Sequence, residues 1–354
     1  MDFSSAPRYV YWEMTQACGL ACRHCRATAK RTPHPSELTT AEARRLLLQI
    51  AAFGRPEPML IFSGGDPLSR PDLFDLIDGA RALEIPVAVT PSATPLLSPD
   101  TFKRFAAHDV AAVSMSLDGS TAERHEGIRN VRGCYDITRN GSRWAAEANL
   151  PFLVNTLVSE STVDDLPALY ELLRGMHVTR WSLFFLVAVG RGKYLAPISA
   201  ERAERTMEWI ADISRDAPFL IGTTEAPAYR RVALERMNAW GWTPERIAGS
   251  SVHAGFGLRD GNGVVFISKT GDVYPTGFLP LSGGNVRKEH LVAIYRNSAL
   301  FTDLHDSARL KGKCGACEFR AICGGSRARA FAATGDPLES DPLCAYVPPA
   351  TQVA

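Results

Sequence analysis

Apolar positions along the first 215 residues change period again and again. Short runs rich in β-branched and aromatic residues read as strands: Arg8 to Trp12, Met59 to Phe62, Val87 to Val89, Ala111 to Leu117, Phe152 to Val158 and Trp181 to Val187. Between the first two, Ala43, Leu46, Leu47 and Ile50 fall at i, i+3, i+4 and i+7, the spacing of an amphipathic helix, and Thr39 with Glu42 has the spacing of a capping box. Leu73, Leu76, Ile77 and Ala80 repeat the pattern, and Ser98 followed by Pro99 marks the next helix start. About six βα units follow, which right-handed crossovers wind into a parallel sheet. Six is fewer than the eight that close a barrel. The expected fold is therefore α/β, a partial (β/α)6 TIM-like barrel with its site at the carboxyl ends of the strands.

From about residue 235 the pattern changes. Val264 to Ile267 and Asp272 to Tyr274 predict a hairpin around Lys269-Thr270-Gly271, and a cysteine- and glycine-rich tail follows. So little periodic structure suits a small region held partly by metal. The predicted division is a barrel over 1–234 and a small C-terminal cluster-binding domain over 235–354.

Composition narrows the function. The chain has 354 residues, in keeping with two domains at about 150 residues each. Lys and Arg number 39 against 38 for Asp and Glu, a net charge of +1, which asks for neither nucleic acid nor an anionic membrane. No apolar run is long enough to span a bilayer, and the N-terminus lacks a signal-peptide core. A soluble, cytoplasmic protein is expected. Its eight cysteines are clustered rather than scattered, and in a reducing compartment clustered cysteines read as metal ligands before disulfides.

Cys18, Cys22 and Cys25 stand in the loop after the first predicted strand. Three thiolates can wrap one soft metal centre, and a four-iron cubane held by three leaves one iron open. A zinc site completed by His24 or a distant residue is the alternative on spacing alone. The run resembles the signature of the radical S-adenosylmethionine (AdoMet) enzymes: three cysteines separated by three and then two residues, with His24 in the position before the third that usually holds an aromatic-type residue. The resemblance implies a [4Fe-4S] cluster on Cys18, Cys22 and Cys25 whose open iron chelates AdoMet. It also implies one-electron cleavage of AdoMet to methionine and a 5′-deoxyadenosyl radical that abstracts a substrate hydrogen.

Other strand ends carry the family's cofactor motifs in order. Ser63-Gly64-Gly65-Asp66-Pro67 resembles the Gly-Gly-Glu-Pro motif that receives the AdoMet amino group, with Asp66 in place of Glu. Thr90-Pro91-Ser92 stands where relatives often have Thr-Asn-Gly. Ser116 and Asp118 match a Ser-x-Asp-Gly motif near the AdoMet carboxylate and ribose. Asn155 on the fifth strand is a similar candidate. Gly190-Arg191-Gly192 resembles a Gly-Arg-Gly segment that borders the adenine.

Cys314, Cys317, Cys323 and Cys344 leave intervals of two, five and twenty residues. Four thiolates complete a zinc site or fully ligate a cubane. The spacing resembles the SPASM auxiliary-cluster region, in the reduced form found in radical AdoMet enzymes that alter tetrapyrrole side chains. Fuller SPASM domains have a further cysteine after the hairpin, where this chain has Thr276. One auxiliary [4Fe-4S] cluster, fully ligated and suited to electron transfer, is the implied second cofactor. Cys134 is left over and reads as a small buried hydrophobe. His253 is a candidate to face a substrate or an axial haem position.

The resemblance points to radical chemistry on a tetrapyrrole side chain, as in haem biosynthesis, with a flavodoxin- or ferredoxin-type electron donor. A maturase of ribosomally made peptides, forming thioether or carbon–carbon links, is the second reading. The few residues before Cys18 do not make the N-terminal recognition domain such enzymes commonly carry, although a separate recognition protein would serve. A non-catalytic iron-sulfur electron carrier is the third. For the substrate, Trp181, Phe184, Phe185 and Phe278 are candidate apolar contacts, and Arg191, Lys193 and Arg259 candidate partners for carboxylates.

Overall fold

The computed structural model describes residues 3–351. The first two and last three residues, which carry the outer ends of the predicted division and the start of the N-terminal reading, lie outside the described residues. Seven strands run parallel in chain order: β1 Tyr9–Glu13, β2 Met59–Ser63, β3 Val87–Val89, β4 Ala112–Ser116, β5 Phe152–Val158, β6 Arg180–Phe185 and β7 Leu220–Thr224. Helices α1 Thr40–Ala51, α2 Leu73–Ala82, α3 Pro99–Ala107, α4 Ala122–Arg129, α5 Cys134–Glu147, α6 Leu166–Arg174 and α7 Ala200–Ser214 fill the crossovers, and α8 Tyr229–Ala239 follows β7. All six predicted strands form, with ends shifted by no more than two residues.

Local chemistry accounts for the helices. Thr39 and Glu42 form the predicted capping box on α1, and Ser98 caps α3 with Pro99 at its first position. The apolar face of α1 is fully buried, which stabilises by roughly 2 kcal/mol for each of Leu46, Leu47 and Ile50. The seventh strand escapes the hydrophobic pattern because its inner positions, Gly222 and Thr224, are small or polar and Leu220 is half exposed.

The second region joins the same sheet. β8 Arg259–Asp260 and β9 Gly263–Ile267 follow α8, and the predicted hairpin forms as β9 with β10 Asp272–Tyr274, to which β11 Gly284–Asn285 adds. β9 lies parallel against β1, from Tyr9 opposite Val264 to Trp12 opposite Ile267. The order is β11-β10-β9-β1-β2-β3-β4-β5-β6-β7, with β8 beside β9. β7 forms one edge and the barrel stays open. The hairpin is thus an extension of the barrel sheet past β1. Among the described residues no helix is long and apolar enough to cross a membrane.

Candidate active site at the carboxyl ends of the strands

The loop after β1 carries Cys18, Cys22 and Cys25, with the first two buried and the third half-buried. The Cys18 Sγ lies 3.3 Å from the Leu20 N–H and 3.4 Å from the Ser92 hydroxyl, and the Cys22 Sγ lies 3.7 Å from Arg129 Nη1. None of the eight cysteines is in a disulfide. Burial pushes the Cys18 thiol up, against the hydrogen bonds from Ser92 and the Leu20 N–H.

Two glycine motifs clamp this loop at its ends. A Cβ on Gly65 would lie 2.2 Å from the Ala17 carbonyl oxygen, and the Gly65 N–H donates to the Thr15 carbonyl at 2.7 Å. At the other end Gly190 has φ +54°, and a Cβ there would lie 2.4 Å from the Arg26 carbonyl oxygen. The Arg191 N–H donates to the Cys25 carbonyl at 3.0 Å. The sequence reading has the two glycines after β2 bringing backbone toward a ligand. In the fold their missing side chains make room first for the cysteine loop, although Gly64 and Gly65 also line a cavity.

That cavity, of about 830 Å³, occupies the barrel mouth and lumen. Several positions along its wall are small, Ala88, Ala112, Ser114, Ser182 and Gly222, beside larger ones such as Tyr11, Ile61, Leu153 and Phe184. Closed parallel barrels fill this space with branched side chains. Thr90, Ser92, Ser116 and Asn155 line it too, with the Asn155 amide donating to the Ser114 hydroxyl at 2.8 Å. It meets the cysteine loop at Leu20 and Arg26. A second cavity, of about 630 Å³ behind β7, contains none of the predicted site residues.

Other predicted residues stand just behind the wall. Asp66 is fully buried; its carboxylate accepts from the Ser92 N–H at 3.2 Å and the Thr94 hydroxyl at 2.9 Å, tying the loop after β2 to the loop after β3. Burial pushes its pKa up against those bonds. Asp118 accepts from the Leu157 N–H at 2.8 Å and pairs with Arg129 at 2.6 Å. Burial alone would raise its pKa, but the guanidinium holds it below the usual carboxylate range. His24 Nδ1 and the Arg191 Nε and Nη2 are shut from solvent without a hydrogen-bond partner among the described residues. Burial, with Arg129 near, pushes His24 down to about 4, so the ring is neutral.

Sequence reasoning missed His125 and Arg129, both on α4 and both lining the cavity. Their only sequence signal is position, one and two turns beyond the Thr121 cap. It also missed Glu225 and Asp260, neighbouring buried carboxyls in the cavity wall; burial pushes both pKa values up, and the charge of Asp260 raises Glu225 further. Of the substrate candidates, Phe184 and Phe278 line the cavity, whereas Trp181 and Phe185 are buried in the core. Lys193 faces solvent, and Arg259 spends its guanidinium on the Gly257, Leu304 and His305 carbonyls. His253 packs on Phe256 and does not line the cavity. Cys134 is buried, its thiol donating to the Val131 carbonyl at 3.0 Å.

The four C-terminal cysteines come together beside the helix Arg327–Thr334. Cys323 is within electrostatic reach of Cys344 and Cys314, and Cys317 of Cys314. The Asp341 N–H donates to the Cys314 Sγ and the Gly325 N–H to the Cys323 Sγ, each at 3.4 Å, and Arg327 Nη2 lies 3.7 Å from Cys314. Burial pushes Cys323 up to about 12 and Cys344 to about 11. Among the described residues no three His, Cys, Asp or Glu side chains converge on a single-ion position; the four thiols are neighbours without meeting at one point. Thr276, in the place of the further cysteine, donates to Glu225 at 3.3 Å.

Residues 12–173 match the Radical SAM superfamily. The chain is 35% identical over 350 residues to an AdoMet-dependent heme synthase of Methanosarcina barkeri, covering 98% of each, and 31% identical to a pre-heme d1 synthase of Dinoroseobacter shibae, covering 95% of this chain and 87% of that one. Streptococcus suis SuiB bound to S-adenosylmethionine superposes with a TM-score of 0.73 at 18% identity, over 97% of this chain and 78% of that one, a likeness of fold. An open parallel barrel, a clamped three-cysteine loop at its mouth and full-length relatives of this kind lead to one assignment: the chain is an enzyme of the radical SAM superfamily.

Proposed function

We propose that this enzyme modifies a carboxylate-bearing side chain of a tetrapyrrole, in a reaction of the haem-biosynthesis kind. The observation that carries the reading is the open lumen, where Ala88, Ala112, Ser114, Ser182 and Gly222 leave about 830 Å³ for a substrate, a volume in the range of pockets that enclose whole ligands. The full-length similarity to heme and pre-heme d1 synthases points the same way.

In this reading Cys18, Cys22 and Cys25 hold the [4Fe-4S] cluster that binds AdoMet. When bound, the pair supplies one-electron cleavage of AdoMet to a 5′-deoxyadenosyl radical that takes hydrogen from the substrate. The chain's own residues prepare that site. Gly65 and Gly190 fix both ends of the cysteine loop; Thr90, Ser92, Ser116 and Asn155 offer hydroxyl and amide partners to a polar cofactor. Asp66 and Asp118 position the neighbouring loops, and neutral His24 with Arg191 closes the adenine side. Cys314, Cys317, Cys323 and Cys344 hold a second, fully ligated [4Fe-4S] centre, supported by the buried thiols and the N–H groups aimed at their sulfurs. The working division is barrel 1–234 and cluster-binding region 235–354, with a flavodoxin- or ferredoxin-type donor.

The test is anaerobic incubation of the reconstituted enzyme with AdoMet, reductant and either iron coproporphyrin or candidate peptides, scored by mass spectrometry. Loss of carbon dioxide or a side-chain fragment from the porphyrin is expected. A cross-linked peptide with unchanged porphyrin would replace this reading with that of a peptide maturase.

A further inference from the structure

The lumen contains more positive charge than the fold itself uses. Six arginines line it: Arg8, Arg26, Arg129, Arg180, Arg230 and Arg259. Four are occupied. Arg26 pairs with Glu13 at 3.6 Å and Arg129 with Asp118, Arg8 donates to the Ala254 carbonyl, and Arg259 is bound by three carbonyls. The other two are not. Arg180, first residue of β6, makes no side-chain hydrogen bond or ion pair among the described residues, and its guanidinium lies beside the bare Cα of Gly222, the neighbouring inward position on β7. Arg230, at the start of α8, makes one long hydrogen bond, 3.4 Å to the Ile322 carbonyl, and no ion pair. Its surroundings are so enclosed that burial pushes its pKa down to about 10.

Both guanidinium groups are half-buried in the cavity wall without an ion pair, which leaves their donor forks open to a ligand's carboxylate. Arg230 and Arg180 face one space from different heights of the barrel: Arg180 in the layer of Leu153 and Leu220 at the amino ends of the strands, Arg230 beyond the carboxyl end of β7. Between them the wall includes the short side chains of Ser182 and Asn155 and the bare Gly222, which leave the space open. The acids near the cavity make no ion pair with either arginine: Asp260 lies within electrostatic reach of Arg230, but Glu225 and Asp260 are bound by Thr276, Ser326 and the Ala328 N–H.

We propose that Arg180 and Arg230 are the specificity residues that grip two separate carboxylates of one substrate, so that the lumen selects a large planar molecule with acid groups on opposite sides. The inference rests on the tetrapyrrole reading and names the residues that would carry it. A bidentate guanidinium–carboxylate contact at each end also fixes which side chain points up to the cysteine loop.

Spectroscopic titration of the two-cluster enzyme, without reductant, tests it using iron coproporphyrin, which has four acid side chains, and iron protoporphyrin, which has two. The wild type should prefer the tetra-acid. Arg180→Gln and Arg230→Gln should each weaken tetra-acid binding at least tenfold and shrink that preference, with Arg230→Lys in between and Lys193→Gln like the wild type. Because the readout is a ratio between two ligands, a variant with a smaller folded fraction still reports it. Unchanged tetra-acid affinity in both glutamine variants overturns the inference and leaves the tetrapyrrole reading intact. A wild type that binds neither porphyrin overturns both. Arg230 also lies near Cys323, so Arg230→Gln that shifts the reduction potential of the C-terminal centre while binding is unmoved assigns Arg230 to that centre and overturns its role here.

Discussion

The two groups of cysteines are built by opposite means. The N-terminal three lie on a loop with little structure of its own, held in shape by backbone from elsewhere: Gly65 and Asp66 grip residues 15–17, and Gly190 and Arg191 grip Cys25 and Arg26. This loop opens on the large cavity at Leu20 and Arg26. The C-terminal four instead sit against their own polar lattice, in which Arg327 binds the Pro337 and Glu339 carbonyls and Asp341 receives Ser326 and Arg329. No residue of the C-terminal cysteine segment lines the cavity, and Cys317, Cys323 and Cys344 there are half-buried whereas Cys18 and Cys22 are buried. A reacting centre must share its surroundings with a substrate, whereas a centre that only passes electrons is better kept apart from it. The contrast in construction follows the contrast in proposed role.

The severest way to break this comparison is to remove the ligands. Replacing Cys18, Cys22 and Cys25 with alanine should abolish 5′-deoxyadenosine formation and leave about four irons per chain on the other centre. Replacing Cys314 and Cys317 should leave AdoMet cleavage measurable while product from the substrate disappears. Iron content and deoxyadenosine by chromatography read both. Retained cleavage in the triple variant would falsify the assignment of the first centre.

Next in size is the ion pair behind the reacting side. Asp118 and Arg129 are buried together, and Arg129 also reaches the Cys22 sulfur. Arg129→Met strands a buried carboxylate, a change that costs about 3–5 kcal/mol. Thermal unfolding should register that loss, and the N-terminal cluster should become labile while the C-terminal one persists. Equal loss of both clusters would show that the two regions unfold as one and that their independence is wrong.

Much of this was legible in the sequence, and the reasons for the gaps are physical. Period and caps locate α1 and α3 because those signals are local: Thr39 needs only Glu42, and Ser98 only Thr101. The cysteine spacings are likewise local. Pairings formed by the fold leave no such trace. Nothing beside Asp118 announces Arg129, and Glu225 meets Asp260 and Ser326 only because β7, β8 and the last long helix converge. β7 itself was hidden because a strand lining an open lumen has small, polar inner residues in place of a hydrophobic stripe. The glycine motifs were found, but their first duty, space for the cysteine loop, depends on Ala17 and Arg26, which lie 48 and 164 residues before Gly65 and Gly190, and is visible only in three dimensions.

A gentler probe is pH. His125 is buried beside Tyr135, its Nδ1 accepting from the Asp118 N–H at 3.0 Å, and burial pushes its pKa from 6.5 down to about 4. The folded state thus keeps the ring neutral where the unfolded chain would bind a proton. This contribution is complete above pH 6.5 and is lost as pH falls toward 4, by about 1.4 kcal/mol per unit. His24, pushed down to about 4 as well, adds a like contribution, so unfolding free energy at pH 5.5 should be lower than at pH 7.5 by about 2.7 kcal/mol, and His125→Gln should halve the difference. An unchanged slope in the variant would place the sensitivity elsewhere.

The smallest expected effect lies where the two regions meet. Thr276 stands after the hairpin, in the place of the extra cysteine of fuller SPASM domains, and it is buried with its hydroxyl on Glu225. Glu225 is bound in turn by the Ser326 hydroxyl, which caps the helix Arg327–Thr334, and its own carbonyl takes Arg329. One short chain of hydrogen bonds thus runs from the cavity wall to the lattice around the C-terminal cysteines. If Thr276 is only a link in that chain, Thr276→Val removes one donor and costs about 1 kcal/mol, seen as a small drop in unfolding temperature with iron content unchanged. Because Glu225 retains Ser326, the carboxyl is not left stranded, and this keeps the effect below that of Arg129→Met. A loss of about four irons instead would mean that this position still serves a metal centre directly, and the division of the cysteines into a reacting three and a closed four would have to be redrawn.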